Sequence, residues 1–163
     1  WGYWMKDKLV VGIADMKMTQ HSGELITYAL GSCIGICLYD PTIKLAALVH
    51  IMLPINMETG RSSPMKYADT GIRETVRRME QLGARRNRIV AKIAGGAKMF
   101  ETSGGALGNI GQRNIESVHM VLRREMIRLA KEDVGGKAAR TLSFDAATGM
   151  GLVRSYGSPE RIL

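Results

Sequence analysis

Two of the scarcest residue types in this 163-residue chain fall close together: Cys33, one of two cysteines, and His50, one of three histidines. A thiol within reach of an imidazole can serve as nucleophile and base, the pairing that attacks acyl and amide carbons. Cys33 follows Gly31-Ser32, a turn sequence that exposes a thiol and frees nearby backbone N–H groups to hold an oxyanion. The competing reading is a buried structural cysteine, a common fate for this residue type, and Cys37 within its apolar run fits that reading well. His50 likewise has two readings, a hydrogen-bonded core histidine or a base facing the thiol. His21 and His119 read as surface or helix residues.

Positioning the pair falls to a hairpin. Residues 33–39 (CIGICLY) and 45–52 (LAALVHIM) are apolar and β-compatible, and Asp40-Pro41-Thr42-Ile43 suits a type I turn between them. With a four-residue loop at 40–43, Tyr39 faces Lys44 and Cys33 falls opposite His50, close enough for a thiol–imidazole contact. A five-residue loop puts them on opposite faces unless a bulge restores the parity.

Further strands are expected at 9–14, with 16–18 as an extension, and at 25–30, 88–94, 138–144 and 150–155, the last two forming a hairpin about 145–149. A helix starting at Asp69 carries Ile72, Val76, Met79 and Leu82 on one stripe, with Gly83 as its stop. A second, from about Asn114 to Asp133, carries Ile115, Val118, Leu122, Met126 and Leu129. Residues 53–66 form a long loop after His50 suited to binding or a lid. Residues 156–163 carry no clear signal. Trp1 to Trp4 are set aside as an added or extended start. With no repeat or linker, residues 1–163 read as one domain.

Hydrophobic residues make up 45% and charged residues 23%, as in an ordinary globular core protein. The apolar run from Leu45 to Ile55 is too short for a membrane span, and no signal-peptide pattern precedes it. Cysteines four residues apart suggest reduced thiols and the cytoplasm. Metal is not expected, because the cysteines and histidines lack CxxC or HxxxH spacing. The glycines at 95–96 and 104–111 match no phosphate-loop pattern and read as close backbone approaches or a cleft wall. A net charge of +8 and a pI near 9.8 favour acidic partners. Arg73, Arg77, Arg78, Arg85, Arg86 and Arg88 form a basic corner without the interleaved aromatics of a single-strand platform.

LGSCIGICLYDP followed by AALVHIMLP, with KYADTGI at 66–72, KIAGGAKMF at 92–100 and NIGQRN at 109–114, resembles the CheD family of chemoreceptor glutamine deamidases over roughly residues 9–155. The resemblance implies an α/β fold of the α+β type, with packed β-sheets flanked by helices, related to cysteine-dependent deamidating toxins. It makes Cys33 the nucleophile, His50 its base and Thr27 the residue that orients the histidine, with Ser32 and Gly31 at the oxyanion turn and no cofactor. Chemoreceptor glutamines would be the substrate and a CheC-type phosphatase the regulator, with no nucleic acid and no membrane insertion. A basic face would help encounter with glutamate-rich receptor helices. The alternative from another class is a non-catalytic basic module binding an acidic protein or nucleic acid.

Overall fold

The computed structural model describes residues 7–57, 63–99 and 109–163. Trp1 to Trp4, the middle of the 53–66 loop and most of the glycine-rich stretch at 104–111 lie outside the described residues, and so do the expectations attached to them. In chain order the elements are β1 (Lys8–Val10), β2 (Met16–Gln20), β3 (Glu24–Leu30), β4 (Ile34–Asp40), β5 (Leu45–Ile51), a 3-10 turn (Pro64–Lys66), α1 (Ala68–Gln81), β6 (Val90–Gly95), α2 (Ile110–Arg124), β7 (Arg128–Val134), β8 (Arg140–Asp145), β9 (Gly151–Ser155) and β10 (Ser158–Ile162). They build an α+β fold with two mixed five-stranded sheets, ordered β1-β3-β8-β9-β10 and β2-β5-β4-β6-β7.

The second sheet is the middle layer, which explains why both strands of the hairpin read as unbroken apolar runs. Every residue of β4 and β5 is buried. Ile34, Ile36, Leu38, Leu45, Ala47, Val49 and Ile51 pack against Ile72, Val76 and Met79 of α1 and Ile115, Val118 and Leu122 of α2. The intervening Cys37, Tyr39, Ala46 and Leu48 meet Leu25, Leu30, Leu142, Phe144 and Val153 of the first sheet. Each fully buried Leu, Ile or Phe contributes about 1.5–3 kcal/mol. With a period of two, one face of the hairpin belongs to the helices and the other to the opposing sheet.

The hairpin loop sits one residue further along than the sequence suggests. Asp40 pairs with Leu45, so the loop is Pro41–Lys44. Asp40 remains in the strand because its fully buried side chain serves the turn: Oδ1 accepts Thr42 N–H (3.0 Å), while Oδ2 accepts Arg85 N–H (3.0 Å) and the Arg88 guanidinium (2.9 Å). Lys44 takes the left-handed position, φ 50°. Burial alone would raise the Asp40 pKa, but Arg88 and the two N–H donors hold it below the ordinary carboxylate range. Asp40→Ala is expected to cost about 2–4 kcal/mol, read as a lower denaturant midpoint at unchanged slope.

Two other expectations are corrected. Residues 16–18 do not extend the first strand: the chain turns at Ala14, φ 58°, and β2 joins the other sheet beside β5. The second helix starts at Ile110 and stops at Arg124, and residues 128–134 form β7, parallel to β6. Its stop is a Schellman turn, with Ile127 N–H donating to Leu122 O (2.8 Å) and Met126 N–H to Arg123 O (3.1 Å). The left-handed residue is Met126, φ 59° and 81% exposed, so no glycine marks the stop in the sequence. The first helix ends by the same device with Gly83 in that place, as its sequence predicts. The tail supplies a strand of its own, β10.

Candidate active site

Thr27 and His50 meet at the interface between the sheets, and Cys33 lies one residue before the strand that pairs with His50's own. Thr27 lies on β3, paired with Leu142, and is fully buried. His50, next to last in β5, is held on both sides: β4 pairs with it through Gly35, while its N–H donates to Asp15 O (3.0 Å) and its carbonyl accepts Ala14 N–H (2.9 Å).

The hydrogen bonds fix the imidazole tautomer. Thr27 Oγ1 donates its single proton to Val11 O at 2.8 Å and lies 2.7 Å from His50 Nδ1. With that proton committed, the threonine can only accept, so Nδ1 carries the hydrogen and Nε2 the lone pair. Nε2 is buried and has no partner among the described residues. Burial pushes the His50 pKa down from 6.5 to about 4, so the ring is neutral near pH 7.

Cys33 lies just before β4 and is half-buried. The register places Gly35, not Cys33, opposite His50. The shift is two residues, because the loop slid by one at each of its ends, so parity survives and Cys33, one residue before the last pair, packs on the inter-sheet side that His50 also faces. Glycine is what fits opposite His50. A Cβ on Gly35 would sit 3.0 Å from Leu142 Cδ2, 3.2 Å from Leu30 Cδ1 and 3.3 Å from Thr27 Cγ2. Its absence lets the threonine of the other sheet reach the ring. A lone glycine inside an apolar strand is the signal that could have found it.

The turn ahead of Cys33 is bound to β6 and the residues after it. Cys33 O accepts Gly96 N–H (2.9 Å) and Gly31 O accepts Ala97 N–H (2.8 Å). Gly31 N–H donates to Ala29 O (3.0 Å), so Gly31 shapes the turn. Among the described residues Ser32 N–H has no backbone acceptor, and Cys33 N–H lies against its own sulfur. Burial raises the Cys33 pKa, with that N–H pulling the other way. Both shifts favour a neutral thiol beside a neutral imidazole at rest. Cys37, fully buried between the sheets, is pushed much further up and is inert by comparison.

Among the described residues no group of three or more His, Cys, Asp or Glu is placed to hold a metal ion, and no helix is long and apolar enough to cross a membrane. The basic corner is largely paired within itself. Arg73 meets Asp69, Arg77 and Arg78 share Glu74, Arg86 bridges Glu80 and Glu125, and Arg88 holds Asp40.

Residues 52–155 match the family model described as CheD chemotactic sensory transduction. Over 161 residues the chain is 47% identical to the "Probable chemoreceptor glutamine deamidase CheD" of Syntrophomonas wolfei, covering 98% of this chain and all of that one. It is 46% identical to the protein of the same name from Moorella thermoacetica, over 94% of this chain and 93% of that one. It is 41% identical to the "Chemoreceptor glutamine deamidase CheD" of Thermotoga maritima, over 95% and 96%. The match to the Syntrophomonas protein is long enough to take in Thr27, Cys33 and His50, which lie outside the family-model match.

Proposed function

The chain belongs to the CheD family, whose curated members are named chemoreceptor glutamine deamidases, and from that premise we propose that it converts chemoreceptor glutamines to glutamates with release of ammonia through Cys33, His50 and Thr27. One observation carries the residue assignment: Thr27 Oγ1, 2.7 Å from His50 Nδ1 with its proton spent on Val11, leaves a buried Nε2 lone pair, unpartnered among the described residues, on the side of the sheet where Cys33 packs.

The chemistry follows from that tautomer. Nε2 takes the thiol proton as Cys33 Sγ attacks the side-chain amide carbon, and the amide oxygen becomes an oxyanion facing the N–H groups of Ser32 and Cys33. The tetrahedral intermediate collapses, Nε2–H protonates the nitrogen, ammonia leaves and a thioester remains. Water then attacks the thioester while Nε2 takes its proton. The C–S bond breaks, the thiol is restored and glutamate departs. Resting neutrality suits this sequence, because the ion pair arises only as the substrate arrives and excludes water. Thr27 accepts from Nδ1–H in both ring states, and its own bond to Val11 O polarises it in the direction that supports imidazolium.

Threonine carries no charge, so it orients the ring and stabilises imidazolium less than a carboxylate would. Thr27→Val, which keeps the shape and removes the hydroxyl, is expected to slow turnover about 10–100-fold, with Thr27→Ser restoring most of it. Losses as large as those of Cys33 or His50 variants would contradict that ranking. A substoichiometric dose of iodoacetamide should label Cys33 ahead of Cys37 and abolish deamidation in proportion. Equal labelling, or labelling of Cys33 without loss of activity, counts against the assignment.

The cytoplasm is the compartment proposed, in keeping with two free thiols. A CheC-type phosphatase is proposed as regulator on family grounds. The non-catalytic basic module has less support, since five of the six corner arginines are paired with carboxylates of the chain itself.

A further inference from the structure

The ladder between β4 and β5 ends at the pair Ile34 and Ile51, so Cys33 and the turn before it lie beyond the last rung. Past that rung the two strands turn to different partners. Cys33 O takes the N–H of Gly96 (2.9 Å), while Met52 and Leu53 both donate to Lys66 O (2.8 and 3.1 Å). Among the described residues the backbone therefore leaves the nucleophile's turn and the end of the histidine's strand untied to each other at the point where the two reactive groups must meet.

A side chain from the helical layer closes the gap. Asn114, in the second turn of α2 and 0% exposed, donates from Nδ2 to Ser32 O (2.9 Å) and also to Met52 O (2.9 Å). Ser32 immediately precedes Cys33, and Met52 is two residues beyond His50. The other half of the amide, Oδ1, is buried and has no partner among the described residues. Such an orphan acceptor carries a desolvation cost that an apolar residue of similar volume would not. What asparagine supplies in return is the pair of donated bonds.

The helix is seated to deliver them. A Cβ on Gly111 would lie 2.5 Å from Ala97 O and 2.7 Å from Gly96 O, so the first turn of α2 presses on the backbone that receives the Cys33 carbonyl. One turn after Asn114, Ser117 Oγ donates to Pro54 O (2.6 Å), anchoring the segment that follows Met52.

We propose that Asn114 is a positioning residue for deamidation, a side-chain rung that replaces the missing backbone rung and holds Cys33 Sγ within reach of His50 Nε2. The proposal rests on the reading of Cys33 and His50 as the catalytic pair. It concerns geometry, so its signature is in kcat and in the surroundings of the thiol, not in substrate affinity. A displacement of about 1 Å between reacting groups is enough to cost about a hundredfold.

The test uses two substitutions of similar volume that remove both donors, Asn114→Leu and Asn114→Asp, in the full chain, with folding checked by circular dichroism. Each is expected to lower kcat for deamidation of a receptor fragment about 10–100-fold while KM stays within about threefold. Each should also displace the pH dependence of Cys33 alkylation by iodoacetamide relative to the unsubstituted chain, a readout that needs no receptor. A folded variant with the unsubstituted kcat, or a loss that only tracks the unfolded fraction with an unmoved alkylation profile, overturns the proposal. Failure of the catalytic reading itself looks different: the unsubstituted chain then releases no ammonia, whatever the alkylation profiles of the two variants show.

Discussion

His50→Ala is expected to lower the turnover of glutamine deamidation by about a thousandfold or more and to leave the protein folded. General acid–base catalysis is worth about 10²–10⁴-fold, and in the proposed mechanism one imidazole serves thiol activation, ammonia departure and thioester hydrolysis. Among the described residues the ring's one side-chain partner is the Thr27 hydroxyl, whose proton is already committed, so none of them can take over. The same burial that empties Nε2 of partners sets the pH dependence. With its pKa at about 4 in the folded chain, the base stays unprotonated through mildly acidic pH, so kcat/KM should fall only as pH approaches 4, not near the ordinary 6.5. Stability follows the same group. Between about pH 4 and 6.5 the unfolded chain binds a proton that the folded chain refuses, so stability rises with pH across that window, is complete above 6.5, and is lost as pH falls through 4. The swing is on the order of 3 kcal/mol. A melting temperature that drops on acidification less steeply in His50→Ala than in the unsubstituted chain, combined with lost activity, is the expected pair of results. Turnover within tenfold of normal would remove His50 from the mechanism.

Gly95→Ala is expected to destabilise the chain by about 3 kcal/mol or more and to abolish most activity in whatever remains folded. Gly95 has φ 121°, which side-chain-bearing residues adopt only with strain, and its absent Cβ would overlap the carbonyl oxygen of Cys33 and lie 3.1 Å from Ile34 Cα. Those are backbone atoms, so no rotamer change relieves the clash. The turn must move, carrying Cys33 with it and weakening the 2.9 Å bond from Gly96 N–H. The melting temperature should fall by about 6–12 °C, and alkylation of Cys33 should change its rate. A variant as stable and as active as the parent would mean that the close approach at Gly95 does not position the thiol.

Much of this arrangement is written locally, and what is not depends on contacts distant in sequence. The two runs of the hairpin and the Gly-Ser turn mark Cys33 and His50 because turn chemistry and periodicity are short-range properties. The register needed one further fact, that the Asp40 carboxylate stays in the strand to hold Arg85 and Arg88, residues 45 and 48 positions away. Thr27 became visible only through family resemblance, since its bond to His50 crosses from one sheet to the other. The α2 stop was hidden because a methionine takes a position where glycine is the usual marker. Gly35 and Asn114 act through what faces them, the glycine by leaving room and the asparagine by bridging two carbonyls. The glycine's role shows in the sequence only as a lone glycine within an apolar strand, and the asparagine's has no signature in spacing.

In the proposed reaction Cys33, activated by His50, removes the amide nitrogen of a receptor glutamine. Incubating the protein with a glutamine-bearing cytoplasmic fragment of a chemoreceptor, and following ammonia release together with the peptide mass map, tests it most directly. The unsubstituted chain should release ammonia in step with the appearance of glutamate at specific positions, and Cys33→Ala should do neither while keeping its fold. Ammonia release undiminished in Cys33→Ala, or none from the unsubstituted chain, would contradict the account.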